Sequence, residues 1–573
     1  MLRAAALVAA VLALAGTAQA APLSTPCGGR AIAPDQVVTG EFDTRFNKSY
    51  VMVPFEVPSG TTAIRVKYCW DEPESGSSRH TLDLGLYEPR RAGTTGTWGP
   101  REFRGWGGSS HRDVTISAEG FSTEAEYTAS PRIEPPGKTT RAFLPGRIRA
   151  GLWAAELGVA EVIPQSEADA DGKVGWRVEI EFADDPAFAD EPYQPAPYDK
   201  TAALPTAGWY EGDFHVHAEH SGYGDATMTE TFRYAFTPTT QGGAGLDFIT
   251  LSDYVGGSAW GEIGRYQGQH PGKLIVRSAE VITYRGHTNN HGSAKFVDYR
   301  EGPIFERRPD GTLQLVRGTR DPRDLFDEVH AAGGWTQINH PTIFPPLSPA
   351  AAALCRGCFW EYSDAETDFS KVDAYEIATG PADIGGTQNP FTLTAIDEWE
   401  RHLGLGRKIA AVGSSDSHDA GSGTGPLDAP IGEARTVVYA TKLSERGIRC
   451  GIKRRHTYVK VSGATAPDLS FEAHPFAQRG WWKTAIVGDV VKAPGAGFTA
   501  RVRGGNGRQL LIVANGKTLL TVPVTSDDFT YKFLQGGAGH WRLQLMNGSL
   551  VETVSSPIWV EPGGGDVERA RCR

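Results

Sequence analysis

Gly212-Asp213-Phe214-His215-Val216-His217 ends a predicted β-strand with two histidines. Side chains two residues apart in a strand point to the same face, so His215 and His217 can bind one cation together. An isolated pair of this kind is more often incidental than ligating. Since α/β barrels place their sites at the carboxyl ends of strands, the prediction depends on the residues at the ends of the neighbouring strands.

Ionisable side chains also end the later predicted strands of the same region. Glu280 lies at the end of one strand, His340 follows another in an Asn-His-Pro sequence, and Asp416 and His418 repeat the two-residue spacing after a third. His287 and His291 lie between them in the sequence. A single buried histidine or glutamate is usually a satisfied core residue, but so many strand ends with ligating side chains predict a shared metal site.

The region from residue 209 to about 465 alternates predicted strands with amphipathic stretches. This order is typical of a parallel α/β barrel or a doubly wound sheet. One helix is expected after Asp321 and Pro322, with an end at Gly333, and another over residues 392–403. The predicted strands cover residues 213–217, 246–251, 274–281, 335–339, 372–377 and 408–412.

Two β-rich regions flank this central part, which we bound at residues 208–465. Residues 21–195 alternate short apolar runs with Gly, Pro and Ser turns and predict an all-β sandwich or jelly roll. Residues 196–207 continue a proline-rich stretch and are assigned as a linker. Residues 466–573 return to a β pattern and predict a second sandwich, so the chain is expected to be multidomain.

The first twenty residues have the pattern of a secretory signal peptide. Arg3 precedes an Ala/Leu/Val run that ends in Ala18-Gln19-Ala20, so cleavage is expected before Ala21. No later apolar run approaches the roughly 18 residues of a membrane-spanning helix. We therefore expect a secreted or extracytoplasmic protein without a membrane anchor.

The charge balance argues against a nucleic-acid partner. Across 573 residues there are 57 Lys and Arg against 68 Asp and Glu, a net charge of −11, and the longest basic run is Lys453-Arg454-Arg455. Sequence-independent nucleic-acid binding requires a basic surface that this composition does not supply. Small anionic substrates remain compatible with it, because a few metal ions or arginines can set the sign of a local site.

Six cysteines follow the predicted cleavage point, and an even number in an oxidising compartment indicates disulfide bonds. A local Cys355–Cys358 bond is expected. Half of a zinc site is the alternative for this pair, but no second CxxC or CxxH completes it. Proximity within the predicted domains favours Cys27–Cys69 and Cys450–Cys572 for the rest.

The ordered motifs, namely His-x-His at 215–217, Ser-Asp at 252–253, Glu280, Asn-His-Pro at 339–341 and Ser-Asp-Ser-His at 415–418, resemble those of the PHP (polymerase and histidinol phosphatase) superfamily of metal-dependent hydrolases. The Glu280 to His287 spacing and the flanking β regions look most like its CehA/McbA branch, which includes a carbaryl hydrolase. The resemblance covers about residues 208–465. It implies a distorted seven-stranded (β/α)7 barrel with two or three metal ions at the carboxyl ends of its strands.

The resemblance also implies roles for individual residues. Where the family usually has Asp-His after its second strand, this chain has Asp253-Tyr254, and a tyrosine is a poor metal ligand at neutral pH. We therefore expect two divalent ions (zinc, manganese or iron) rather than three, with His220 and His291 as spare imidazoles. The implied ligands are His215, His217, Glu280 and Asp416 for the first metal, Glu280, His287 and His340 for the second, and Asp225 and His418 for the remaining positions.

The reaction implied by the resemblance is hydrolysis by a hydroxide shared between two metals, with Glu280, Asp416 and His418 as catalytic residues. His418 or His291 could protonate the leaving group, and Arg277, Arg285 or Lys295 could neutralise an anionic substrate. A small-molecule phosphoester is the expected substrate. The alternatives are a carbamate or carboxylic ester, as in the carbaryl hydrolase, and an inactive secreted binding protein. The β regions could contact glycan or a cell surface.

Overall fold

The computed structural model describes residues 23–572 except for 73–78, 92–95, 132–133, 167–168, 170, 225, 294, 347–353, 424, 426–427 and 477–482. The predicted signal peptide and the predicted metal ligand Asp225 lie outside the described residues. Over the described part, the protein has several β-rich regions and few helices. No helix in that part is both long and apolar enough to cross a membrane.

The N-terminal region consists of two β-sheets that share one hydrophobic core. Alternating residues of their strands face each other, and Trp153 and Trp176 are fully buried between the sheets. One sheet has the order β1-β8-β3-β6, and the second contains β2-β7-β4-β5. The elements are β1 Gln36–Asp43, β2 Ser49–Val57, β3 Ala63–Trp70, β4 Thr81–Tyr87, β5 Phe103–Gly108, β6 Asp113–Ser117, α1 Glu124–Ala129, β7 Gly151–Glu161 and β8 Lys173–Ala183.

The central region contains most of the helices and all of the predicted strand ends. Each predicted strand overlaps an observed one. The elements are β9 Gly208–Val216, α2 Met228–Phe236, β10 Phe248–Leu251, α3 Ile263–Gln267, β11 Leu274–Arg277, β12 Glu280–Thr283, β13 Gly286–His291, β14 Ile304–Arg307, β15 Leu313–Arg317, α4 Pro322–Ala331, β16 Trp335–Ile338, α5 Asp364–Thr367, β17 Ala374–Ala378, β18 Asp383–Ile384, β19 Thr387–Gln388, α6 Pro390–Gly404, β20 Ala410–Gly413, β21 Arg435–Ala440, α7 Glu445–Lys453 and β22 Thr457–Lys460.

The strands predicted from the sequence are divided between two sheets, so the predicted (β/α)7 barrel is not confirmed. Strands β9, β10 and β11 are parallel neighbours, whereas β16, β17 and β20 are parallel neighbours in a sheet of order β12-β13-β16-β17-β20. The predicted strand 274–281 is broken between β11 and β12, where the chain passes from one sheet to the other. Single parallel bridges, Val216 to Ser417 and Tyr254 to Glu280, connect the two sheets near the predicted ligands.

The two predicted helices are present as α4 and α6. Helix α4 begins at Pro322 as expected and buries Leu325, Phe326 and Val329. The expected cap differs in detail, because the side chain of Asp321 makes no capping hydrogen bond and pairs with Arg323 instead.

A hairpin of the central region completes the N-terminal sheet. Strand β14 pairs in parallel with β2, with Ile304 opposite Tyr50, and β15 extends the same sheet. This pairing was not predicted from the sequence. It joins the N-terminal and central regions through main-chain hydrogen bonds, and it brings N-terminal loops next to the strand ends of the central region.

The C-terminal region is continuous with the central one. Strand β31 pairs with β22, which extends the β9-β21-β22 sheet, while β24-β23-β26-β29 form a separate four-stranded sheet over a common core. The predicted disulfides Cys27–Cys69, Cys355–Cys358 and Cys450–Cys572 are confirmed. The strands are β23 Asp468–Pro475, β24 Ala485–Ile486, β25 Val490–Lys492, β26 Gly495–Arg503, β27 Gln509–Ala514, β28 Lys517–Pro523, β29 Asp528–Gly536, β30 Gly539–Asn547, β31 Leu550–Ser555, β32 Ile558–Glu561 and β33 Asp566–Glu568.

Candidate metal centre

Asp213 ties the end of β9 to the loop that follows β20. Its buried carboxylate accepts hydrogen bonds from the backbone N–H groups of His215 (3.0 Å), Ser415 (3.2 Å) and Gly432 (2.8 Å). Burial raises the pKa of Asp213 to about 6, although these N–H groups oppose the shift. The N–H of Asp416 in turn bonds the carbonyl of His215. The two chain segments that carry the His-x-His and Asp-x-His motifs are therefore held side by side.

Four side chains from these segments and from β12 converge at the first donor cluster. Nε2 of His215 lies 3.3 Å from Oε2 of Glu280 and 3.2 Å from Oδ1 of Asp416. Nε2 of His217 lies 3.4 Å and 3.1 Å from the same two oxygen atoms. All four donor atoms lie within 4.8 Å of one another, which a single cation could bridge.

The second donor cluster shares Glu280 with the first. Oε1 of Glu280 lies 3.3 Å from Nδ1 of His287 and 3.2 Å from Nε2 of His340. Its other oxygen, Oε2, faces His215 and His217. The two oxygens of one carboxylate thus serve two separate sets of imidazoles, which is the arrangement expected of a ligand that bridges two metal ions.

Backbone carbonyls hold the imidazoles of the second cluster in one tautomer. Nδ1 of His340 donates to the carbonyl of Cys358 and Nε2 of His287 donates to that of Arg356, each over 3.2 Å. Because a carbonyl can only accept, these nitrogens carry the hydrogens. With the hydrogens on these nitrogens, the nitrogens that face Glu280 would be free to bind a metal ion.

The charges of the site also fit divalent cations. Burial opposes the charged form of His215, but Asp416, Glu280 and Glu376 outweigh it and raise its pKa well above the usual value. Burial likewise opposes ionisation of Glu280, yet His215, His217 and His287 hold its pKa well below the usual value. Neither ring nitrogen of His215 makes a hydrogen bond within the described residues. A buried, unsatisfied imidazole beside ionised carboxylates is a donor set suited to zinc, manganese or iron.

Glu376 on β17 belongs to the site and was not among the predicted residues. Its Oε1 lies 3.5 Å from Nδ1 of His215, and its Oε2 accepts the backbone N–H of His340. Glu376 is fully buried. Glu280 was predicted because it is a carboxylate near the end of an apolar strand. Glu376 in the predicted strand 372–377 has the same pattern.

His418 lies beside the first donor cluster and outside both clusters. Its ring stacks on His217 at 4.2 Å, Nδ1 donates to the carbonyl of Asp416, and Nε2 lies 2.7 Å from the hydroxyl of Tyr254. Burial lowers the pKa of His418 to about 4 and raises that of Tyr254 well above its usual value, so both are neutral. The position expected to hold a third metal thus contains a Tyr254–His418 hydrogen bond.

The two spare imidazoles are occupied elsewhere. His291 stacks on Trp335, with Nδ1 bonded to Ser278 and Nε2 to Gln337, and burial lowers its pKa to about 3. Nδ1 of His220 bonds Ser258. Both nitrogens of His291 are thus engaged by Ser278 and Gln337, which favours His418 over His291 as the proton donor.

Two of the arginines considered for substrate binding are also engaged elsewhere. Arg277 pairs with Glu445 and stacks on Tyr198, and Arg285 pairs with Glu366. The backbone carbonyl of a third arginine, Arg356, orients His287.

A cavity of about 430 Å³ adjoins the donor clusters. His287, His418 and Tyr254 form its side nearest the clusters. The two clusters with a shared carboxylate and the adjoining cavity together define a candidate dinuclear metal centre.

No protein-family model matches the chain, and no curated protein matches it. One similar solved structure is a two-domain protein containing a predicted PHP-like metal-dependent phosphoesterase from Bacteroides vulgatus, with 15% identity and a TM-score of 0.32, covering 64% of this chain and 99% of that one. Another is the lesion-specific endonuclease PfuEndoQ from Pyrococcus furiosus, with 15% identity and a TM-score of 0.26, covering 43% of this chain and 56% of that one. Similarity this low does not assign a function, so the functional proposal rests on the geometry of the site.

Proposed function

We propose that the protein is a metal-dependent hydrolase that cleaves a small-molecule phosphoester with two divalent ions. The observation that carries the proposal is the position of Glu280, whose Oε2 faces His215 and His217 while its Oε1 faces His287 and His340. The order of these residues in the sequence also resembles that of PHP hydrolases. Two divalent ions supply Lewis acidity and lower the pKa of a water molecule, which is the chemistry that ester hydrolysis needs.

The residues of the chain would hold and orient the reacting groups. Glu280 and Asp416 are ionised and can hold cations without first losing a proton. The carbonyls of Arg356 and Cys358 fix the rings of His287 and His340. Ligands that are held in place in this way reduce the reorganisation that the reaction would otherwise require.

Tyr254 and His418 form a proton-handling pair at the wall of the cavity. Since Nδ1 of His418 donates to the carbonyl of Asp416, its Nε2 accepts the hydrogen of the Tyr254 hydroxyl. A proton released in the cavity can therefore pass through this hydroxyl to Nε2 of His418 and return by the same route to a leaving group. His418 keeps the catalytic role proposed for it, without acting as a metal ligand.

Cleavage of a carbamate or carboxylic ester is the second candidate, and the walls of the cavity favour it. Trp106, Tyr223 and Tyr284 line the space, and the one arginine among the described lining residues, Arg356, is ion-paired with Glu161. An uncharged ester would fit such walls. We further propose that the protein acts outside the cytoplasm, which the three disulfide bonds support.

The test combines metal analysis with turnover. The purified full-length protein would be loaded separately with zinc, manganese or iron and analysed by elemental mass spectrometry. It would then be assayed with bis(4-nitrophenyl) phosphate, 4-nitrophenyl phosphate and 1-naphthyl N-methylcarbamate. Turnover of a phosphate substrate supports the proposal, and turnover of the carbamate alone supports the second candidate. Tight metal binding without any turnover would favour the inactive binding protein.

A further inference from the structure

The N-terminal β region forms one side of the cavity next to the metal centre. Thr81 and Asp83 on β4, Trp106 on β5, Ser109 in the following turn and Ala160 on β7 all line it. The opposite side consists of central residues, including His287 and His418. The cavity therefore lies between the two regions and exists only when both are in place.

The contacts across this boundary are close and specific. The hydroxyl of Ser109 lies 2.8 Å from that of Tyr223, and the hydroxyl of Tyr284 donates to Asp83 over 2.7 Å. A Cβ added at Gly222 would lie 2.4 Å from Oγ of Ser110, so a larger residue at this position would require the Ser110 hydroxyl to move. The N-terminal wall is thus packed against the central loops in a fixed position.

Aromatic side chains from both regions face the same space. Tyr254, which bonds His418, packs edge-to-face against Trp106 at 6.2 Å and against Tyr223 at 6.4 Å. Tyr284 adds a fourth ring, stacked at 5.3 Å on Tyr50 of the N-terminal region. Flat apolar rings bind best to such walls, through hydrophobic burial and ring–ring contact.

We infer that the N-terminal β region determines substrate specificity by forming an aromatic wall of the active-site cavity, and that the substrate carries a planar apolar group next to its hydrolysable bond. The inference rests on the proposed function for the identity of the cavity as an active site. It assigns Trp106 as a specificity-determining residue, although Trp106 lies about a hundred positions before the first metal ligand in the sequence.

The charged groups of the cavity agree with this assignment. Arg356 is paired with Glu161, and its Nε donates to Thr81. Burial raises the pKa of Asp83 to about 7, against the effect of the Tyr284 hydroxyl and of Arg356. The wall away from the metal ligands therefore offers little free charge to a substrate, which favours an uncharged group on that side.

The test compares ligands that differ only by a ring. Binding of phenylphosphonate and methylphosphonate, and of phenyl and methyl N-methylcarbamate, would be measured calorimetrically on the zinc-loaded protein. We expect the phenyl member of at least one pair to bind about tenfold or more tightly, as burial of an aromatic ring implies. Trp106→Ala should reduce this ratio to below about threefold with little change for the methyl compound.

Two further variants separate a role in the pocket from a role in folding. Trp209→Ala removes a 40% exposed tryptophan outside this cavity and should leave the ratio unchanged. Ser109→Trp places a large side chain in a half-buried turn, where it should fill the cavity. We expect binding of the phenyl compound to weaken about tenfold while the fold is retained. Thermal melting would confirm folding in each case.

The outcomes are distinct. No ring preference in either pair, including no binding at all, would overturn the inference. A ring preference that Ser109→Trp and a folded Trp106→Ala leave intact would also overturn it. Hydrolysis of bis(4-nitrophenyl) phosphate by the same preparation tests the proposed function separately. A ring preference lost in the variants, without turnover of any ester, would refute the hydrolase and leave the aromatic binding wall in place.

Discussion

The backbone carbonyl of Cys358 accepts a hydrogen bond from Nδ1 of His340 over 3.2 Å, and this contact connects a disulfide-closed turn to the metal centre. Two residues earlier, the carbonyl of Arg356 bonds His287 in the same way. Gly357 between them has a φ of +81°, and a Cβ there would lie 2.2 Å from the carbonyl of Thr283. The Cys355–Cys358 bond thus holds a turn that orients both imidazoles of the second donor cluster.

Removal of this disulfide should weaken binding of the second metal ion. In the double variant Cys355→Ser, Cys358→Ser, the turn loses its covalent closure, so the two carbonyls are no longer held against His287 and His340. Loss of such supporting contacts typically costs about 10- to 100-fold in metal affinity. Titration with a competing chelator would measure the affinity. The double variant Cys27→Ser, Cys69→Ser removes a disulfide of the N-terminal region and should leave the affinity unchanged. Equal affinities in both variants would contradict the role of the turn.

Glu280→Gln should abolish the paired site. The substitution keeps the size of the side chain but removes the charge that both donor clusters share. Elemental analysis should therefore show loss of both ions, and hydrolysis should fall by about three or more orders of magnitude. Glu398→Gln on the exposed face of α6 is the matched control. Near-normal metal content and activity in Glu280→Gln would show that the site is wrongly assigned.

Glu376→Gln should weaken binding of the first metal ion more than it weakens binding of the substrate. Gln can still accept the N–H of His340 but no longer places a negative charge 3.5 Å from Nδ1 of His215. Because a carboxylate raises the basicity of a ligating imidazole, we expect about 10- to 100-fold weaker metal binding. The value of kcat should fall while KM stays within about threefold. An unchanged metal affinity would reduce Glu376 to a structural role.

Tyr254→His should increase metal stoichiometry. In the wild-type protein the Tyr254 hydroxyl occupies Nε2 of His418, and we expect elemental analysis to give two ions per chain. A histidine at position 254 would free His418 and add an imidazole beside it, so a third ion should bind. Tyr254→Phe frees His418 without adding a ligand and should still hold two. Three tightly bound ions in the wild-type protein would contradict this prediction.

Asp83→Asn should flatten the dependence of stability on pH. Burial raises the pKa of Asp83 from 3.8 to about 7 in the folded state, so the folded protein holds this proton more tightly than the unfolded chain. Its contribution to the unfolding free energy is therefore full below pH 4 and is lost as the pH rises from about 4 to 7. The loss has an upper bound of about 4 kcal/mol. Denaturant unfolding from pH 4 to 8 would compare the variant with the wild-type protein. Curves of the same slope would show that Asp83 ionises normally.

The order of motifs along the chain predicted a shared site, and the family resemblance assigned the residues to it. His215, His217, Glu280, His287, His340 and Asp416 were the implied ligands of the first two metals, and the structure brings all six together. The three disulfide pairs were also predicted correctly. Local patterns carry this information because strand periodicity and the spacing between ligands are properties of the sequence itself.

Tertiary structure alone decided the surroundings of that donor set. The pairing of β14 with β2, the division of the predicted strands between two sheets and the position of Trp106 in the cavity all depend on contacts between residues far apart in the chain. The hydrogen bonds between His418 and Tyr254, and between His291 and its partners Ser278 and Gln337, changed the roles expected of these histidines. A side chain's role depends on which partners satisfy its polar atoms once it is buried, and a sequence pattern does not state those partners.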